Sequence, residues 1–442
     1  MKTEVTMDQL VSLCKRRGFV YQSSEIYGGL SGAWDYGPLG VELKNRIRDC
    51  WWKEMTQLQD NIVGLDAAIM MHPKVWEASG HVDNFSDPMV DCRQCKNRFR
   101  ADQVDLASPC PECGGKGTFT EPREFNLMFS THLGAVKNDS SIVYLRPETA
   151  QGIFVNFKNV MQTSRVKIPF GIAQIGKAFR NEVTTKSFIF RTCEFEQLEM
   201  QFFVKPGDED QWFSYWKESR NAYYKRLGIR EDFLRYSDHG PDELAHYAKV
   251  ACDIEYRFPI GWQEIEGIHS RTDFDLSRHQ EYSGKDLNYL DPDTKERFVP
   301  YVVETSAGLT RTVLMVLADA YEEETLTDGE KRTVMHFHPS VAPVTAAVLP
   351  LVKKDGLDEL ASSIERDLRE HFPTFYDKAG AIGRRYRRMD EIGTPFCITI
   401  DYQTKDDQTV TLRFRDTMEQ VRVPVGELAA RINEEIRAYA RM

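Results

Sequence analysis

Two short blocks of the sequence combine arginines, glutamates and an aromatic ring in a way that suits nucleotide binding. The first is FRNE at residues 179–182, followed by Arg191 and Phe195. The second is ETSAGLTR at residues 304–311. Guanidinium groups bind phosphate oxygens in a bidentate manner, and an aromatic ring can stack on a base. The two blocks therefore predict the walls of one ATP site.

Alternation of apolar and polar residues predicts that the first block belongs to a hairpin, with strands at 171–182 and 190–203. A period of two places Arg180 and Glu182 on one face of the first strand. One face of the second strand then carries Arg191, Cys193, Phe195, Gln197, Glu199 and Gln201. A solvated strand with cross-strand ion pairs would carry similar residues, so this face alone does not establish a site.

The second block lies between a predicted strand at 298–304 and a predicted helix. The helix shows apolar residues at helical spacing, namely Leu309, Val313, Leu314, Val316, Leu317 and Ala320. We expect Ser306 and Gly308 at the turn between the two elements. Arg311 then falls in the first helical turn, where its side chain and the free backbone N–H groups can both face a phosphate.

Four of the nine cysteines form two C-x2-C pairs, Cys92 with Cys95 and Cys110 with Cys113. Residues 96–109 separate the pairs, a length just under the usual spacing of zinc sites. Each pair can present two thiolates from one tight turn, which predicts a structural Zn²⁺ ion. Unmetallated thiols and a redox pair are the alternatives, although no thioredoxin-like sequence surrounds the pairs.

Length and composition favour a cytoplasmic protein of two or three domains. The chain has 442 residues, of which 41% are apolar, and this is ample for a core. It has no membrane-spanning run of about eighteen apolar residues and no signal-peptide hydrophobic region. A net charge of −11 argues against non-specific nucleic-acid binding by the whole surface, and no DNA partner is expected. A local basic face would still suffice for RNA.

From His336 onward the pattern changes to strand, helix, strand, helix, then three strands and a final helix, which is typical of a small α/β domain. Candidate strands lie at 344–352, 394–401 and 409–415, and candidate helices at 357–371 and 425–440. Basic residues concentrate in one segment around Tyr386, namely Lys378, Arg384, Arg385, Arg387 and Arg388. Such a cluster forms either a solvated helix face or a surface for RNA.

Both blocks resemble the second and third signature motifs of class II aminoacyl-tRNA synthetases, and longer segments narrow the resemblance to the glycyl-tRNA synthetase family. Residues 27–40 (YGGLSGAWDYGPLG) are similar to that family's N-terminal stretch. Residues 71–73 (MHP) and 76–81 (WEASGH) resemble its first motif, and residues 146–152 (RPETAQG) are a further match. The resemblance spans the chain from about residue 10, so chance agreement of a short pattern is not a serious competitor.

The resemblance implies an α+β fold with a class II catalytic domain at residues 1–336. Its sheet is expected to be mostly antiparallel and flanked by helices, with a zinc-ribbon insertion at 90–120. Residues 337–442 resemble the α/β anticodon-binding domain of the glycyl, prolyl, threonyl and histidyl enzymes. This favours an RNA role for Arg384, Arg385, Arg387 and Arg388. The first motif, from the helix at 41–52 through residue 73, implies a homodimer.

The resemblance also implies the reaction. The glycine carboxylate would attack the α-phosphate of ATP and release pyrophosphate, and the glycyl group would then pass to the 3′ end of tRNA(Gly). Arg180 is expected at the α-phosphate and Arg311 at the γ-phosphate, with Mg²⁺ supplying further positive charge. Glu264 is a candidate for Mg²⁺ or the nucleotide, or else an ordinary exposed carboxylate. The predicted ATP-binding residues are Arg180, Asn181, Glu182, Phe190, Arg191, Phe195, Glu264, Ile265, Gly308 and Arg311.

Glycine offers no side chain to grip, so its site must bind the ammonium group and exclude a methyl group. The resemblance places the acidic residues Glu148, Glu199 and Glu304 around the substrate. Phe195 and Ser306 are expected beside them. Arg100, close to the cysteines, matches a substrate-site arginine of the family, although a surface position would suit it equally. Carboxylates left unpaired in such a site would raise one another's pKa.

The chain departs from the family pattern at a few positions. Thr305 stands where proline is usual, Thr310 where aspartate is common, and Thr192 with Cys193 where Val-Arg is common. An arginine at position 193 would have shared the face of Arg191. We nevertheless expect an active enzyme, because the main arginines and the candidate glycine ligands are present.

Two rival interpretations remain. One is a synthetase-like paralogue that binds nucleic acid without charging tRNA. Such a protein is expected to lose ATP-binding residues, whereas Arg180, Glu182 and Arg311 are all present. The other is a class II enzyme for another small amino acid, such as serine or proline, which ought to lack the three glutamates.

Overall fold

The computed structural model describes residues 5–183, 185, 187–242, 244–245, 247–325 and 329–439. Its helices are α1 (Met7–Arg17), α2 (Pro38–Thr56), α3 (Lys74–Ala78), α4 (His81–Asn84), α5 (Ala150–Ser164), α6 (Glu209–Arg226), α7 (Phe274–Ser283), α8 (Leu309–Ala320), α9 (Leu357–Leu368), α10 (Ile382–Ile392), α11 (Tyr402–Asp407) and α12 (Leu428–Ala438). Its strands are β1 (Val20–Gln22), β2 (Trp34–Tyr36), β3 (Ile62–Gly64), β4 (Ser86–Asp91), β5 (Arg98–Arg100), β6 (Arg123–Asn126), β7 (Ser130–His132), β8 (Ile142–Tyr144), β9 (Phe170–Phe179), β10 (Glu194–Val204), β11 (Leu234–Asp238), β12 (Val250–Phe258), β13 (Gly261–Thr272), β14 (Tyr289–Leu290), β15 (Arg297–Phe298), β16 (Tyr301–Gly308), β17 (Tyr321–Thr325), β18 (Lys331–Met335), β19 (Ala346–Pro350), β20 (Thr374–Tyr376), β21 (Phe396–Ile400), β22 (Thr409–Phe414) and β23 (Gln420–Pro424).

A seven-stranded sheet in the order β11-β12-β13-β16-β10-β9-β3 organises the larger part of the chain. Its neighbouring strands are antiparallel except for the β3–β9 pair, which is parallel. One face of the sheet packs on α2, α6 and α8 through a core that includes Leu43, Leu198, Met200, Trp216 and Leu314. The opposite face packs at one end on α5 and α7 through a core that includes Phe154, Phe203 and Leu276. The mostly antiparallel sheet flanked by helices is therefore confirmed.

The hairpin expected around the first block is present, but both strands stop short of their common loop. β9 ends at Phe179 and β10 begins at Glu194. The prediction that Arg180, Glu182 and Arg191 lie on strands is therefore wrong, because all three belong to the connection. The alternation predicted for β10 itself is confirmed, since its even-numbered apolar residues enter the core behind the sheet.

The local backbone explains the short strands. Ser187 and Phe188 have φ values of 71° and 59°, which an extended strand does not allow. A short 3-10 turn at Phe188–Phe190 follows and reverses the chain. Residues 184 and 186 of this predicted loop lie outside the described residues.

The second block differs from its prediction in where the strand ends. β16 continues to Gly308, so Ser306 lies within the strand and its expected position at a turn is wrong. The predicted strand at 298–304 is divided into β15 and β16, and Pro300 between them has no N–H to donate to a sheet. α8 begins at Leu309 and Arg311 lies in its first turn, as predicted.

The four paired cysteines lie in a small module on one side of the sheet. β4 pairs with both β5 and β6, which gives a three-stranded antiparallel sheet. Cys92 follows β4, and Cys110 and Cys113 lie in the long loop between β5 and β6. The strands of this module run from Ser86 to Asn126, so they extend beyond the 90–120 expected for the insertion on both sides.

The C-terminal part has the predicted alternation, with one addition. Its five strands run in the order β20-β19-β21-β22-β23, with parallel pairs around β19 and antiparallel pairs beyond β21. The short helix α11 between β21 and β22 was not predicted. The final helix, expected at 425–440, is α12, and residue 440 lies outside the described residues. In the part of the chain that the structure describes, no helix is long and apolar enough to span a membrane.

Candidate functional site

A cleft of about 290 Å³ opens on the face of the main sheet that carries the odd-numbered residues of β10. Antiparallel pairing of β10 with β16 places Glu199 opposite Ser306 and Gln197 opposite Gly308. The predicted site residues that line this cleft are Glu148, Arg180, Glu182, Phe190, Arg191, Phe195, Glu199, Glu264, Glu304, Ser306, Gly308 and Arg311. Both sequence blocks therefore meet in one place.

Three of the residues predicted to bind ATP or glycine are not among those that line the cleft. Ile265 is fully buried in the core behind the sheet, so its side chain does not reach the cleft. Asn181 lies in the loop beside the cleft. The Arg100 guanidinium donates to Asp87 at 2.9 Å and to Asp102 at 2.7 Å. The roles assigned to Asn181 and Arg100 stay predictions.

Arg180 lies between two aromatic rings at one end of the cleft. Its guanidinium carbon is 5.2 Å from the ring centre of Phe195 and 5.3 Å from that of Phe85. Its Nε donates to the carbonyl oxygen of Pro147 at 3.1 Å. The two cation–π contacts and this hydrogen bond restrict the guanidinium, and such a pre-organised donor suits phosphate oxygens. Stacking of Phe195 on a base stays a prediction.

Arg311 occupies the other end of the cleft, at the start of α8. Its terminal nitrogen donates to the Glu264 carboxylate at 3.0 Å and to the Glu264 carbonyl oxygen at 3.2 Å. Its guanidinium carbon lies 4.5 Å from the ring centre of Phe190. Burial would raise the pKa of Glu264, but the Arg311 charge more than offsets this and holds the pKa below its usual value.

Glu148, the first of three buried carboxylates, has both oxygens engaged. One oxygen accepts from the Gln151 amide at 2.9 Å, and the other lies 3.4 Å from Nε2 of His81. The Ser79 hydroxyl contacts the other ring nitrogen of His81 at 2.8 Å and so orients the imidazole. Burial would raise the pKa of Glu148, but His81 holds it well below its usual range.

Glu304 is likewise fully engaged. One oxygen accepts from the Gln201 amide at 2.6 Å and from Arg271 at 3.0 Å, and the other lies 3.1 Å from Nδ1 of His269. Burial would raise the pKa of Glu304, but Arg271 and then His269 keep it below the usual value. This carboxylate is held ionised by its neighbours.

Arg271 connects the surroundings of Glu304 to those of Glu148. It is 2% exposed and donates twice to Asp275, at 2.7 and 2.9 Å. The Gln151 amide in turn donates to Asp275 at 3.0 Å while also donating to Glu148. One buried network therefore orients two of the three glutamates.

Glu199 differs from the other two glutamates. Its Oε1 accepts from the Ser306 hydroxyl at 2.8 Å and from the Gln197 amide at 2.9 Å. Its Oε2 is buried and has no hydrogen-bond partner among the described residues. Burial, followed by the charges of Glu304 and Glu148, raises the pKa of Glu199 to about 8. The nearby Thr149 hydroxyl, which is also buried without a hydrogen-bond partner among the described residues, offsets this rise only in part.

Several residues of the cleft were not predicted as site residues: Thr192, Gln197, His239, Tyr247, Asp253, Gly267, His269 and Thr310. The sequence did indicate Gln197, since this residue lies on the predicted polar face of β10. Asp253 contacts His239 at 2.9 Å, and burial together with the charge of Glu264 raises the pKa of Asp253. β12 and β13 bring these groups to the cleft through long-range pairing, which no local pattern reveals.

The departures from the family pattern lie in different surroundings. Thr305 is fully buried in β16, whereas Thr310 lines the cleft and accepts from the backbone N–H of Glu196 at 3.3 Å. The backbone N–H of Cys193 donates to the Gly32 carbonyl oxygen at 2.8 Å. None of these residues separates the two predicted arginines from the cleft.

The four paired cysteines have the geometry of a tetrahedral metal site. The Cys92 and Cys113 sulfurs are 3.7 Å apart, and the Cys95 and Cys110 sulfurs are 3.8 Å apart. Metal–sulfur distances of about 2.3 Å give a tetrahedron with edges of about 3.8 Å, so one ion fits between them. The Thr118 hydroxyl lies 3.1 Å from the Cys92 sulfur and could support it.

The basic segment of the small domain divides into buried and exposed residues. Arg385 on α10 is 1% exposed and donates to the carbonyl oxygens of Pro350 at 2.7 Å and Asp377 at 3.0 Å. It stabilises the domain interior, so the expectation that Arg385 faces RNA is wrong. Arg384 is exposed, while Arg388 pairs with Asp377.

Arg387, the fourth arginine of this segment, is half-buried. Its guanidinium lies 3.5 Å from the Glu330 carboxylate, which is itself exposed. An exposed ion pair of this kind is weak and can exchange for another anion. Arg384, Arg387 and Arg388 remain the candidates for RNA contacts.

Comparisons with known families agree with this architecture. Residues 135–320 match the family described as tRNA synthetase class II core domain (G, H, P, S and T), and residues 345–435 match the family described as anticodon binding domain. A glycine–tRNA ligase from Treponema denticola is 64% identical, covering 99% of each chain. One from Borreliella burgdorferi (strain B31) is 60% identical, covering 98% of each chain.

A further relative and a solved structure extend the comparison. A glycine–tRNA ligase from Treponema pallidum (strain Nichols) is 58% identical and covers 98% of this chain and 100% of its own. The crystal structure of prolyl-tRNA synthetase from Cryptosporidium parvum, complexed with halofuginone and AMPPNP, has a TM-score of 0.65 at 14% identity. It covers 98% of this chain and 77% of its own length, and it shows a shared fold.

Relative to the native protein, the Glu199→Gln variant should become increasingly stable as pH rises. Between about pH 4.3, where a glutamate ionises in an unfolded chain, and about 8, only the folded state keeps the proton. The free energy of unfolding of the native protein therefore falls by about 1.4 kcal/mol per pH unit relative to the variant, and this difference stops growing above that range. Urea unfolding at several pH values measures it. Glu194→Gln, an exposed control, should show no such trend, and a pH-independent Glu199→Gln effect would contradict the assignment.

Replacing both Cys92 and Cys95 by serine should release the bound metal and loosen the β4–β6 module while the main sheet stays folded. A hydroxyl is a far weaker metal ligand than a thiolate, and two ligands are lost together. Elemental analysis of the purified protein measures the metal content, and limited proteolysis locates the loosened segment. Replacing the unpaired, buried Cys14 by serine controls for general thiol loss. Full metal occupancy in the double variant would refute the site.

Proposed function

Since the chain belongs to the glycine–tRNA ligase family of class II synthetases, we propose that its cleft activates glycine with ATP and passes the glycyl group to tRNA(Gly). The observation that carries the assignment of residues is the buried, unpartnered Oε2 of Glu199 beside two fully engaged carboxylates. This oxygen can accept a hydrogen bond from one small cation. The α-ammonium group of an amino acid has the right charge and three donors.

The three glutamates would share the work of binding glycine unequally. Glu199 would accept a hydrogen bond from the ammonium group directly, because its Oε2 makes no hydrogen bond within the part of the chain that the structure describes. Glu148 and Glu304 would add negative potential from fixed positions, since their oxygens are already engaged. In a buried site of low dielectric, such fixed charges act strongly on a nearby cation.

Selectivity for glycine would follow from the polar character of these walls. The cleft residues that contact or act on the Glu199 carboxylate are polar, namely Glu148, Gln197, Glu304 and Ser306. A methyl group here would displace water from polar atoms without replacing their hydrogen bonds. One methylene changes binding by about 1–3 kcal/mol, so rigid polar walls are needed to exclude alanine.

The nucleotide would lie along the two arginines of the cleft. Arg180, in contact with two aromatic rings, would bind the α-phosphate, and Arg311, in the first turn of α8, would bind the γ-phosphate. Glu182, Arg191 and Phe195 remain the proposed contacts of the base and triphosphate. On this arrangement Arg180 would stabilise the negative charge that develops at the reacting phosphorus, and Arg311 would stabilise the charge on the pyrophosphate that leaves.

Carboxylate oxygens suitable for Mg²⁺ are present in the cleft beside Arg311. Glu264 and Asp253 both line it, and the charge of Glu264 helps to raise the pKa of Asp253, so the two lie close enough to repel. Hard oxygen ligands of this kind fit Mg²⁺. We propose that these two residues hold it, and that the ion, when bound, neutralises charge on the phosphates.

The chemistry needs no nucleophilic side chain. The glycine carboxylate oxygen would attack the α-phosphorus of ATP, the bond to the bridging oxygen would break, and pyrophosphate would leave with those electrons. The protein's contribution is to hold the two substrates in line and to stabilise the transition state. A 3′-terminal hydroxyl of tRNA would then attack the glycyl carbonyl and release AMP.

The remaining parts of the chain would serve tRNA binding and structure. We propose domain limits at 1–336 and 337–442, with Arg384, Arg387 and Arg388 as candidate RNA contacts on the small domain. Zn²⁺ would hold the four cysteines of the 90–120 insertion. A homodimer and a cytoplasmic location, both expected from the sequence, stay part of the proposal.

The rival interpretations fit the cleft less well. A paralogue without catalysis need not keep Arg180, Glu182 and Arg311 together around one cleft, yet all three line it. Enzymes for serine or proline have no need for three glutamates around one ammonium site. Glycine-dependent ATP–pyrophosphate exchange, measured across all twenty amino acids, tests the proposed activation step. Exchange with another amino acid but not with glycine would overturn it.

Glycine affinity should rise with pH until Glu199 is ionised without help from the ligand. Because its pKa in the free protein is about 8, the carboxylate is mostly protonated at neutral pH and must lose its proton to bind an ammonium group. Binding should therefore release close to one proton near pH 7, and the dissociation constant should fall by up to about tenfold per unit as pH approaches 8. Calorimetry in buffers of different ionisation enthalpy measures the proton. No release from the native protein would argue against Glu199 as the ammonium ligand.

Arg311→Ala should reduce glycine-dependent exchange by about 100-fold or more, because a positioned charge on the phosphates is lost. Glycine binding, measured separately by calorimetry, should stay close to that of the native protein. Arg297→Ala is the matched control, since that arginine is exposed and pairs only with Asp286 among the ion pairs described. Normal exchange by the Arg311 variant would refute its role.

A further inference from the structure

We infer that the ion pair between Lys44 and Glu196 is a positioning pair for the nucleotide site. It lies on the core side of β10 and fixes the part of the strand that carries Phe195, which forms the floor of that site. Lys44 lies on α2, and Glu196 lies on β10 next to Phe195. This inference rests on the proposed function, because it concerns how the cleft binds ATP. Neither residue touches the cleft, so each would act through the residues that do.

Glu196 faces the core side of the sheet. Side chains alternate along a strand, so Glu196 points away from the face that carries Phe195. The next residues on its own face, Leu198 and Met200, are fully buried in the core. A carboxylate placed there is costly unless a cation is paired with it. Lys44 supplies that cation, and the exposed fractions of the two side chains are only 16% and 12%.

The position of Lys44 is itself well defined. α2 is anchored in the core by Leu43 and Ile47, which are fully buried. The Lys44 ammonium also lies 4.8 Å from the ring centre of Tyr36, a favourable cation–π contact. Because the helix is fixed and the ammonium has two partners, Lys44 acts as a rigid support for Glu196.

The support continues from Glu196 to Arg311. The backbone N–H of Glu196 donates to the Thr310 hydroxyl at 3.3 Å, and Thr310 directly precedes Arg311 in the first turn of α8. The same residue of β10 therefore contacts α2 through its side chain and α8 through its backbone. Both the aromatic floor and the proposed γ-phosphate ligand depend on where this residue lies.

Packing alone does not fix the floor at this point. A small cavity of about 60 Å³, lined in part by Lys44 and Glu196, lies next to the main cleft. Thr192, Phe195 and Thr310 line both spaces. The cavity lies behind this part of β10, so the strand that carries Phe195 can shift there unless another contact holds it. An electrostatic contact is therefore needed where van der Waals contacts are missing.

The glycine end of the cleft has a separate support. Glu148 and Glu304 are oriented by the network of Gln151, Arg271 and Asp275. Glu199 lies on the same strand as Glu196, but the Ser306 hydroxyl and the Gln197 amide hold its carboxylate. Within the described residues, no side-chain hydrogen bond or ion pair links these groups to Lys44 or Glu196. Loss of the ion pair should therefore weaken ATP use selectively. A general loss of structure would instead affect both substrates.

Steady-state ATP–pyrophosphate exchange by Lys44→Met tests the inference. We expect the KM for ATP to rise by about ten- to a hundredfold, since small displacements of positioning groups have effects of this size. The KM for glycine should stay within about twofold of the native value. Lys44→Arg, which keeps the charge, should restore most of the ATP affinity. The double variant Lys44→Glu/Glu196→Lys should recover part of it.

Lys177→Met is the matched control. Lys177 lies directly across the sheet from Glu196 on the same face, but it pairs with Glu194, and both members of that pair are about half exposed, at 50% and 49%. An exposed pair contributes little, so its loss should leave the KM for ATP unchanged. Glu196→Gln, which removes the charge but keeps the shape, gives a milder variant in case Lys44→Met does not fold.

The outcomes separate this inference from the proposed function. No glycine-dependent exchange by the native protein would overturn both. An active native protein whose KM for ATP is unchanged in Lys44→Met and Glu196→Gln would overturn this inference alone. So would equal rises in the KM for ATP and the KM for glycine, or an equal effect of Lys177→Met. A selective rise in the KM for ATP that Lys44→Arg reverses would support it.

Discussion

The organisation of the cleft depends on the buried guanidinium of Arg271. It neutralises Asp275 through two hydrogen bonds and Glu304 through a third, in surroundings from which water is nearly excluded. Like charges repel strongly in such a medium, and without this cation several carboxylates would have to take up protons. With it, the pKa of Glu304 stays below its usual value, whereas the pKa of Glu199 is raised. This difference among the glutamates is the basis on which we assign the ammonium group to Glu199.

The antiparallel sheet converts this local chemistry into an arrangement of two substrates. The register of β10 with β16 sets Glu199 against Ser306, while the start of β10 carries Phe195 toward the arginines. From Leu198 onward the opposite face of the same strand is apolar, and Glu196 before it is neutralised by Lys44. A single strand thus separates a polar catalytic surface from a packed core, and each face constrains the other.

The sequence was informative where the chemistry follows a local period and less so where distant segments meet. The alternation of β10 predicted Phe195, Glu199 and their shared face, and the C-x2-C spacing predicted the cysteine cluster. The ends of the hairpin strands were missed because Ser187 and Phe188 adopt positive φ without being glycine. The roles of His269 and Arg271 arise from pairing between β13 and β16, and Arg385 is buried by carbonyl groups of other segments. Such contacts between distant segments leave no local periodicity to detect.

The direct passage from β16 into α8 at Gly308 has a consequence for engineering. Glu304, beside the proposed glycine, and Arg311, beside the proposed phosphates, belong to one continuous piece of backbone without a linker. Strands β10 and β13 clamp that piece from both sides. The distance between the proposed amino-acid pocket and the proposed phosphate pocket is therefore fixed by the backbone. To accommodate a larger amino acid in this scaffold, side chains of the pocket must be replaced by smaller ones, because the backbone cannot move apart to make room.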